Sequence, residues 1–226
     1  MASRGGLRLV VLISGRGSNL GALITACEAG LAIEIAAAIS NRPGAAGLQT
    51  AQQHGIACEV IDHQDYPGRE AFDAALLACI EAYQPRLVVL AGFMRILGKS
   101  IVQHLAGRSI NIHPSLLPAY TGFNTHERVL AAGDPEHGAS IHFVSDELDG
   151  GPVISQVRMP VLAQDTAETL AARLLPLEHR LMVATVELFS EHSVEMRDDV
   201  IHVDKKPLPT PLVLDADGRL CRTADQ

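Results

Sequence analysis

The chain has 226 residues, with 18 Lys and Arg against 26 Asp and Glu, so its formal net charge is −8. A hydrophobic fraction of 47% with only 19% charged residues is enough for a buried core, which excludes a disordered protein. The acidic balance argues against nucleic acid or an anionic membrane as a partner, because both bind cationic surfaces. No apolar run approaches the roughly 18 residues of a membrane span. Four scattered cysteines without a C-x-x-C pair, and an N-terminus without a signal-peptide pattern, predict a cytoplasmic protein.

The first half of the chain alternates predicted strands with predicted helices. Leu7–Ile13 is a nearly continuous apolar run, which is typical of a strand buried on both faces. Further strands are predicted at 33–39, 57–61 and 86–91, and helices at 20–29, 47–54 and 69–82. Such alternation predicts parallel strands joined by right-handed crossovers. We therefore expect an α/β fold with a Rossmann-like, open, mostly parallel sheet and helices on both faces.

The pattern changes after about Ser109. Short β segments are predicted at 109–112, 139–144 and 153–161, with one helix among them, followed by a long helical stretch at 164–190. We expect mixed or antiparallel strands to join the sheet in this C-terminal part. The residues after 194 are rich in Pro and Asp and predict one weak hairpin. Without a repeat or a linker, the chain is interpreted as one domain over 1–226, with an N-terminal extension at 1–6 and an appended tail at about 210–226.

A glycine-rich loop, Ser-Gly-Arg-Gly-Ser-Asn, follows the first predicted strand and precedes the first helix, for which Ser18 or Asn19 is the predicted N-cap. Exposed N–H groups at a helix N-terminus suit a phosphate. The loop lacks the Lys of a P-loop, and Gly21 comes one residue late for a dinucleotide fingerprint. The loop therefore fits a phosphomonoester better than NAD or ATP, although a tight turn without a ligand explains the same residues.

Asn111 and His113 lie two residues apart on a predicted strand that Pro114 ends, so their side chains point to one face at its carboxyl end. Open α/β sheets place their ligands there. An amide beside an imidazole can stabilise an oxyanion, but from the spacing alone a turn Asn and a core His are the favoured interpretation. Asp149, next to Gly150, is the acid of its loop that is best placed to reach a site, where a carboxylate would orient His113 and stabilise its imidazolium.

The remaining polar residues carry weaker signals. His137, His142 and His179 form no H-x-x-x-H or H-E-x-x-H pattern, so we predict no metal site. Arg69 and Arg95 lie at the edges of apolar runs, where a surface charge is the simplest interpretation.

Four segments together, 13–20, 90–97, 111–118 and 142–152, resemble the glycinamide ribonucleotide formyltransferases of the folate-dependent formyltransferase family. The likeness extends from about Leu7 to about Pro209. The Asn-His-Asp set is shared with methionyl-tRNA formyltransferases and formyltetrahydrofolate hydrolases, and the glycine loop narrows the resemblance. A tRNA enzyme needs an additional basic domain, and a hydrolase usually carries an N-terminal regulatory domain.

The resemblance implies transfer of the formyl group of 10-formyltetrahydrofolate to the amine of glycinamide ribonucleotide, in de novo purine synthesis. Both partners are small molecules, and 10-formyltetrahydrofolate serves as a co-substrate. The alternative within the family is a formyltetrahydrofolate hydrolase (deformylase), which passes the formyl group to water. A nicotinamide oxidoreductase and a non-catalytic sugar-phosphate binding module are the alternatives outside it. Whether the protein is a monomer or a homodimer stays open.

The resemblance also assigns roles to individual residues. His113 corresponds to the catalytic imidazole, Asn111 to a second oxyanion donor and Asp149 to the carboxylate partner. The implied ribonucleotide contacts are Gly17, Ser18 and Asn19 at the phosphate and Glu178 at the amine end. The implied folate contacts are Arg69, Met94, Arg95, Ile96, Leu97 and Asn111. Asn124 stands where relatives have His, and its role stays open.

Overall fold

The computed structural model describes residues 6–222, and the chain divides into two compact units, Met1–Asn111 and Ile112–Gln226. Residues 1–5 of the predicted N-terminal extension and residues 223–226 of the predicted tail lie outside the described part. The interpretation of residues 1–226 as one domain stays a prediction.

The first unit is a parallel sheet with the strand order β5-β4-β1-β2-β3. Its strands are β1 (Leu7–Ile13), β2 (Ile33–Ser40), β3 (Ala57–Val60), β4 (Leu87–Leu90) and β5 (Ser109–His113), the last of which crosses into the second unit. Its helices are α1 (Ser18–Glu28), α2 (Ala46–Gln53), α3 (Arg69–Ala82) and α4 (Lys99–His104), with a 3-10 turn at His63–Asp65. All four residues of β4 are buried, as are six of the seven in β1, so the predicted buried parallel strands are confirmed.

Two details of this unit differ from the sequence interpretation. Helix α1 begins at Ser18, and its N-cap is Gly17 rather than the predicted Ser18 or Asn19. Gly17 has φ 69° and ψ 33°, a left-handed conformation that glycine adopts without steric cost, so the helix starts earlier than an Asn or Ser cap would allow. Helix α4 was not predicted, because six residues are too few to show a helical period.

The second unit adds the mixed strands that the sequence predicts. Strand β6 (Glu136–Phe143) pairs antiparallel with β7 (Val153–Pro160), β7 pairs parallel with β11 (Leu212–Leu214), and β11 pairs antiparallel with β12 (Leu220–Cys221). Because Leu212, Val213 and Leu214 are buried, this part of the predicted tail belongs to the sheet rather than being appended to it. The α/β class, with a mostly parallel sheet and added antiparallel strands, is confirmed.

The predicted weak hairpin is a three-stranded antiparallel sheet, β10-β9-β8, made of β8 (Val194–Arg197), β9 (Val200–Val203) and β10 (Lys206–Pro207). Its two tight turns have positive φ at both central residues, at Asp198 and Asp199 and at Asp204 and Lys205. This backbone geometry matches the twist of a two-residue hairpin and is tolerated by Asp. The second turn was missed because Asp-Lys is not one of the strong hairpin signals.

The second unit also contains two helices in its described part, α5 (Thr125–Ala132) and α6 (Ala167–Glu191). The long helical prediction at 164–190 is confirmed in α6. Thr166 caps it and forms a reciprocal capping box with Thr169. Among residues 6–222, no helix combines the length and the apolar character needed to cross a membrane.

Candidate active site

The glycine-rich loop of the first unit is packed tightly against the start of α2. A Cβ atom on Gly17 would lie 2.8 Å from the Gly47 Cα, and a Cβ on Gly47 would lie 2.9 Å from the Gly17 Cα. Neither position can hold a larger residue without moving the backbone. This close approach fixes the turn that presents the N-terminus of α1.

The N-terminus of α1 has no side-chain cap. Gly17 provides no capping side chain, and the first turn of α1 contains no acidic residue. The first N–H groups of a helix have no partner within it and carry the positive end of the helix dipole. The Asn19 Oδ1 atom is buried and finds no hydrogen-bond partner within residues 6–222; as an acceptor it is open to a donor group rather than to the anion itself. The turn therefore combines backbone donors, positive potential and lack of a counter-charge, as an anion site requires.

The predicted folate segment follows β4 and is tied to the glycine loop. The Ser14 hydroxyl accepts a hydrogen bond from the Met94 N–H (2.7 Å) and donates one to the Asn41 Oδ1 (2.5 Å). Met94 is 67% exposed and Ile96 is 43% exposed, whereas Leu97 is buried. Met94 and Ile96 are therefore accessible to a ligand, whereas Leu97 belongs to the core.

Strand β5 positions the predicted catalytic residues Asn111 and His113. Asn111 is half-buried, His113 is buried, and the strand ends at His113 because Pro114 follows. The His113 Nδ1 lies 3.4 Å from the Asp149 Oδ2, and the two side chains are only 7% and 9% exposed. The His113 Nε2 lies 2.9 Å from the Tyr120 carbonyl oxygen, which can only accept, so Nε2 carries a hydrogen. Each nitrogen of the ring therefore faces an oxygen acceptor.

Asp149 is held by more than its contact with His113. Its Oδ2 accepts a hydrogen bond from the Gly122 N–H at 2.8 Å. Its backbone has φ 53°, in the left-handed region that few non-glycine residues adopt. Strained backbone of this kind persists where the surroundings fix it, often in functional sites. Asp146 and Glu147 on the same loop are exposed, as expected for a solvated turn.

His142 is a neighbour of Asp149 that the sequence analysis placed among the weaker residues. Its Nε2 lies 3.7 Å from the Asp149 Oδ1, and its Nδ1 donates to the Phe143 carbonyl oxygen at 2.9 Å. Burial lowers the pKa of His142, which favours the neutral ring. In the neutral ring with a hydrogen on Nδ1, the Nε2 atom carries no hydrogen. His142 is therefore a buried neutral neighbour of Asp149 rather than a second cation. The available signal was its place at the start of the segment that carries Asp149.

Comparison with known proteins adds independent evidence. The Formyl transferase family matches residues 7–186. The chain belongs to this formyl transferase family. It is 46% identical over 204 residues to phosphoribosylglycinamide formyltransferase of Escherichia coli K12, covering 90% of this chain and 96% of that protein. The corresponding protein of Haemophilus influenzae is 38% identical, with 89% and 96% covered. A solved phosphoribosylglycinamide formyltransferase from Coxiella burnetii is 52% identical with a TM-score of 0.86, covering 90% of this chain and 96% of that one.

Membership of the formyl transferase family bears on the alternative functions, the hydrolase and the nicotinamide oxidoreductase. The three relatives are all named phosphoribosylglycinamide formyltransferase, and they give no support to the hydrolase alternative. The nicotinamide oxidoreductase is contradicted by membership of the formyl transferase family.

Two further histidines, His126 and His137, are in contact with each other. The His126 Nδ1 lies 2.9 Å from the His137 Nε2, and burial lowers the pKa of His137 to about 4. In the part of the chain from 6 to 222, no group of three or more His, Cys, Asp or Glu side chains is arranged to hold a metal ion. The prediction that the enzyme needs no metal stays a prediction.

The structure brings some of the predicted residues together and leaves others as expectations. His113 and Asp149 are in contact, and Gly17, Ser18 and Asn19 form one helix N-terminus. Glu178 is half-buried on α6, and its contact with a substrate amine stays a prediction. Asn124 is exposed and is the N-cap of α5, with φ 56°, a conformation that Asn tolerates better than His does. The change from His is thus compatible with the local backbone.

Proposed function

We propose that this protein is a phosphoribosylglycinamide formyltransferase. It transfers the formyl group of 10-formyltetrahydrofolate to the amine of 5-phosphoribosylglycinamide, giving formylglycinamide ribonucleotide and tetrahydrofolate in de novo purine synthesis. The observation that carries the proposal is the buried His113–Asp149 pair, with Asn111 two residues before His113 on β5, in a chain 46% identical to a phosphoribosylglycinamide formyltransferase.

The proposed reaction is a direct acyl transfer between two bound substrates. The deprotonated amine of glycinamide ribonucleotide attacks the formyl carbon, and the carbonyl oxygen becomes an oxyanion. The Asn111 amide and the protonated His113 ring donate hydrogen bonds to that oxyanion. A positioned donor of this type contributes about 3–4 kcal/mol to transition-state stabilisation. The attacking amine nitrogen then gives up a proton, the bond from the formyl carbon to N10 of the folate breaks, and N10 takes a proton, so no net proton is gained or lost.

Asp149 supports the charged form of His113 in this scheme. Its carboxylate faces the Nδ1 of the ring, so a proton on Nδ1 gains an acceptor in a site shielded from water. The Nε2–H donates to the Tyr120 carbonyl, and this hydrogen bond has to be exchanged for one to the substrate when the oxyanion forms. Exchange of one acceptor for another keeps the imidazolium paired throughout the reaction. Asp149 also assists proton movement toward N10, through water where the distance requires it.

The ends of the two substrates are assigned to separate surfaces. The N-terminus of α1, with Gly17, Ser18 and Asn19, binds the ribonucleotide phosphate through backbone N–H groups. Glu178 interacts with the amine end of the same substrate. The folate contacts are Asn111 and the side chains near the end of β4 and the start of α3, namely Arg69, Met94, Arg95, Ile96 and Leu97.

The test is the release of tetrahydrofolate, followed by absorbance with and without glycinamide ribonucleotide. We expect release that depends on the ribonucleotide and saturates with it. A rate indifferent to the ribonucleotide, with formate as the product, would identify a hydrolase instead. A matched reaction with the His113→Ala variant controls for uncatalysed hydrolysis of the donor.

A further inference from the structure

One buried carboxylate of the first unit has no part in the reaction described above. Asp73, on α3, is only 5% exposed. Its Oδ2 accepts a hydrogen bond from the Gly98 N–H at 2.7 Å, and its Oδ1 is buried without a hydrogen-bond partner within residues 6–222. Burial raises the pKa of Asp73, while the Gly98 N–H, Arg69 and Arg95 oppose that rise. A buried carboxylate costs stability unless it is paired, so this position calls for a specific explanation.

The surroundings of Asp73 connect two parts of the proposed folate surface. Arg69 precedes it by four residues on α3, so the two side chains lie on the same face of the helix. Gly98 directly follows the segment from Met94 to Leu97, and a Cβ atom there would collide with the Asp73 Oδ2. A side chain at position 98 would therefore have to displace the Asp73 carboxylate, and glycine lets the segment approach α3 without that displacement.

Arg95 completes the cluster. Its guanidinium carbon lies 4.5 Å from the centroid of the Phe72 ring, which is fully buried and adjacent to Asp73 in sequence. The Arg95 Nε is buried and finds no hydrogen-bond partner in the described part of the chain, so this half-buried cation depends on nearby negative charge and on the aromatic face. Both arginines lower the pKa of Asp73, and the Arg69 Cδ lies beside the same Gly98 position as the Asp73 Oδ2.

We propose that Asp73 is a positioning residue for 10-formyltetrahydrofolate: it fixes the segment from Met94 to Leu97 through Gly98 and holds Arg69 and Arg95 in place for the glutamate carboxylates of the folate. The inference rests on the proposed function. One carboxylate against two guanidinium groups leaves the cluster net cationic, so it still attracts an anion. A guanidinium held in a fixed orientation can bind a carboxylate through two parallel hydrogen bonds.

Removal of the Asp73 charge has two opposing effects on folate binding. It makes the surface more cationic, which favours an anion, and it frees the arginines and weakens the bond from Gly98, which disfavours it. The long-range effect is screened within about 8 Å at physiological ionic strength. The local effect concerns a buried hydrogen bond and a half-buried cation, where screening is weak. We therefore expect the loss of positioning to dominate.

The experiment compares Asp73→Asn with Glu70→Gln. Both variants remove one negative charge from α3, but Glu70 is exposed whereas Asp73 is buried, so Glu70→Gln reports the effect of the charge without the loss of a buried carboxylate. In Asp73→Asn we expect KM for 10-formyltetrahydrofolate to rise about tenfold, which corresponds to about 1.4 kcal/mol. KM for glycinamide ribonucleotide and kcat should stay within about twofold. Glu70→Gln should leave the folate KM unchanged or slightly lower.

A second donor that lacks the glutamate, 10-formyltetrahydropteroate, locates the effect. We expect the ratio of KM between Asp73→Asn and wild type to fall below about twofold with this donor. An unchanged folate KM in Asp73→Asn, with only a lower urea midpoint, would assign Asp73 a purely structural role and overturn the proposal. The same ratio with both donors would also overturn it, since the arginines would then not be involved. Failure of the proposed function is distinct, because the wild-type protein would then not formylate glycinamide ribonucleotide at all.

Discussion

Replacement of Asp149 by asparagine removes the charge beside His113 and keeps the shape of the side chain. The Asp149 Oδ2 lies 3.4 Å from the His113 Nδ1, and both side chains are less than a tenth exposed. At that distance, with an effective dielectric constant of about 20, Coulomb's law gives an attraction of about 5 kcal/mol for the charged ring. Part of it is retained, because an amide oxygen still faces the ring and still accepts from the Gly122 N–H. We therefore expect kcat to fall by about 10²–10³-fold.

The assay for Asp149→Asn is tetrahydrofolate release under saturating concentrations of both substrates, with KM measured for each. The matched control is Glu136→Gln, which removes an exposed carboxylate of the same unit that pairs with the exposed Arg158. Exposed pairs of this kind contribute less than about 1 kcal/mol, so the control should retain full kcat. A fall in kcat of less than about threefold in Asp149→Asn would refute the electrostatic reasoning. An equal loss in the control would refute it as well.

Three further predictions follow from the same contacts. Asn111→Ala and His113→Ala should each lower kcat by about 10²–10³-fold with little change in either KM; steady-state kinetics that show only a raised KM would remove that residue from the oxyanion site. Replacement of Ser18 or Asn19 by alanine should raise KM for the ribonucleotide and leave the folate KM within about twofold, and equal weakening of both substrates would show a structural loop. Burial lowers the pKa of His137 from 6.5 to about 4. Between these two pH values the unfolded chain binds more protons than the folded chain, so the free energy of unfolding decreases as the pH falls from 6.5 to about 4. The free energy of urea unfolding of wild type minus that of His137→Gln should thus be about 2 kcal/mol smaller at pH 5 than at pH 7, and an unchanged difference would contradict burial of the neutral ring.

The sequence predicts the parallel half of the sheet well, because its strands are buried on both faces and leave continuous apolar runs. Helix α3 was predicted with the bounds that the structure has, because its 14 residues are long enough for apolar positions to recur at helical spacing. Helix α4 was missed because it is short, and its start is fixed by the contact between Gly98 and Asp73. That contact joins residues 25 positions apart, and no local pattern reveals it.

The candidate site divides in the same way. The spacing of Asn111 and His113 along one strand is a local property, so it could be predicted from the pattern of residues. The contact between His113 and Asp149 spans 149 − 113 = 36 residues, and only the family resemblance indicated it before the structure placed the pair at 3.4 Å. The proximity of His142 to Asp149 was not predicted for a related reason: it depends on the path of the loop after β6. Backbone features such as the left-handed Asp149 and the glycine N-cap of α1 also depend on tertiary packing.

The destination of the formyl carbon tests the central claim most directly. The wild-type protein is supplied with 10-formyltetrahydrofolate labelled with ¹³C in the formyl group, together with glycinamide ribonucleotide, and the products are followed by ¹³C NMR. We predict that the label appears in the formamide of formylglycinamide ribonucleotide, in equal amount to the tetrahydrofolate released. Label that accumulates in formate at the same rate with and without the ribonucleotide would contradict the account.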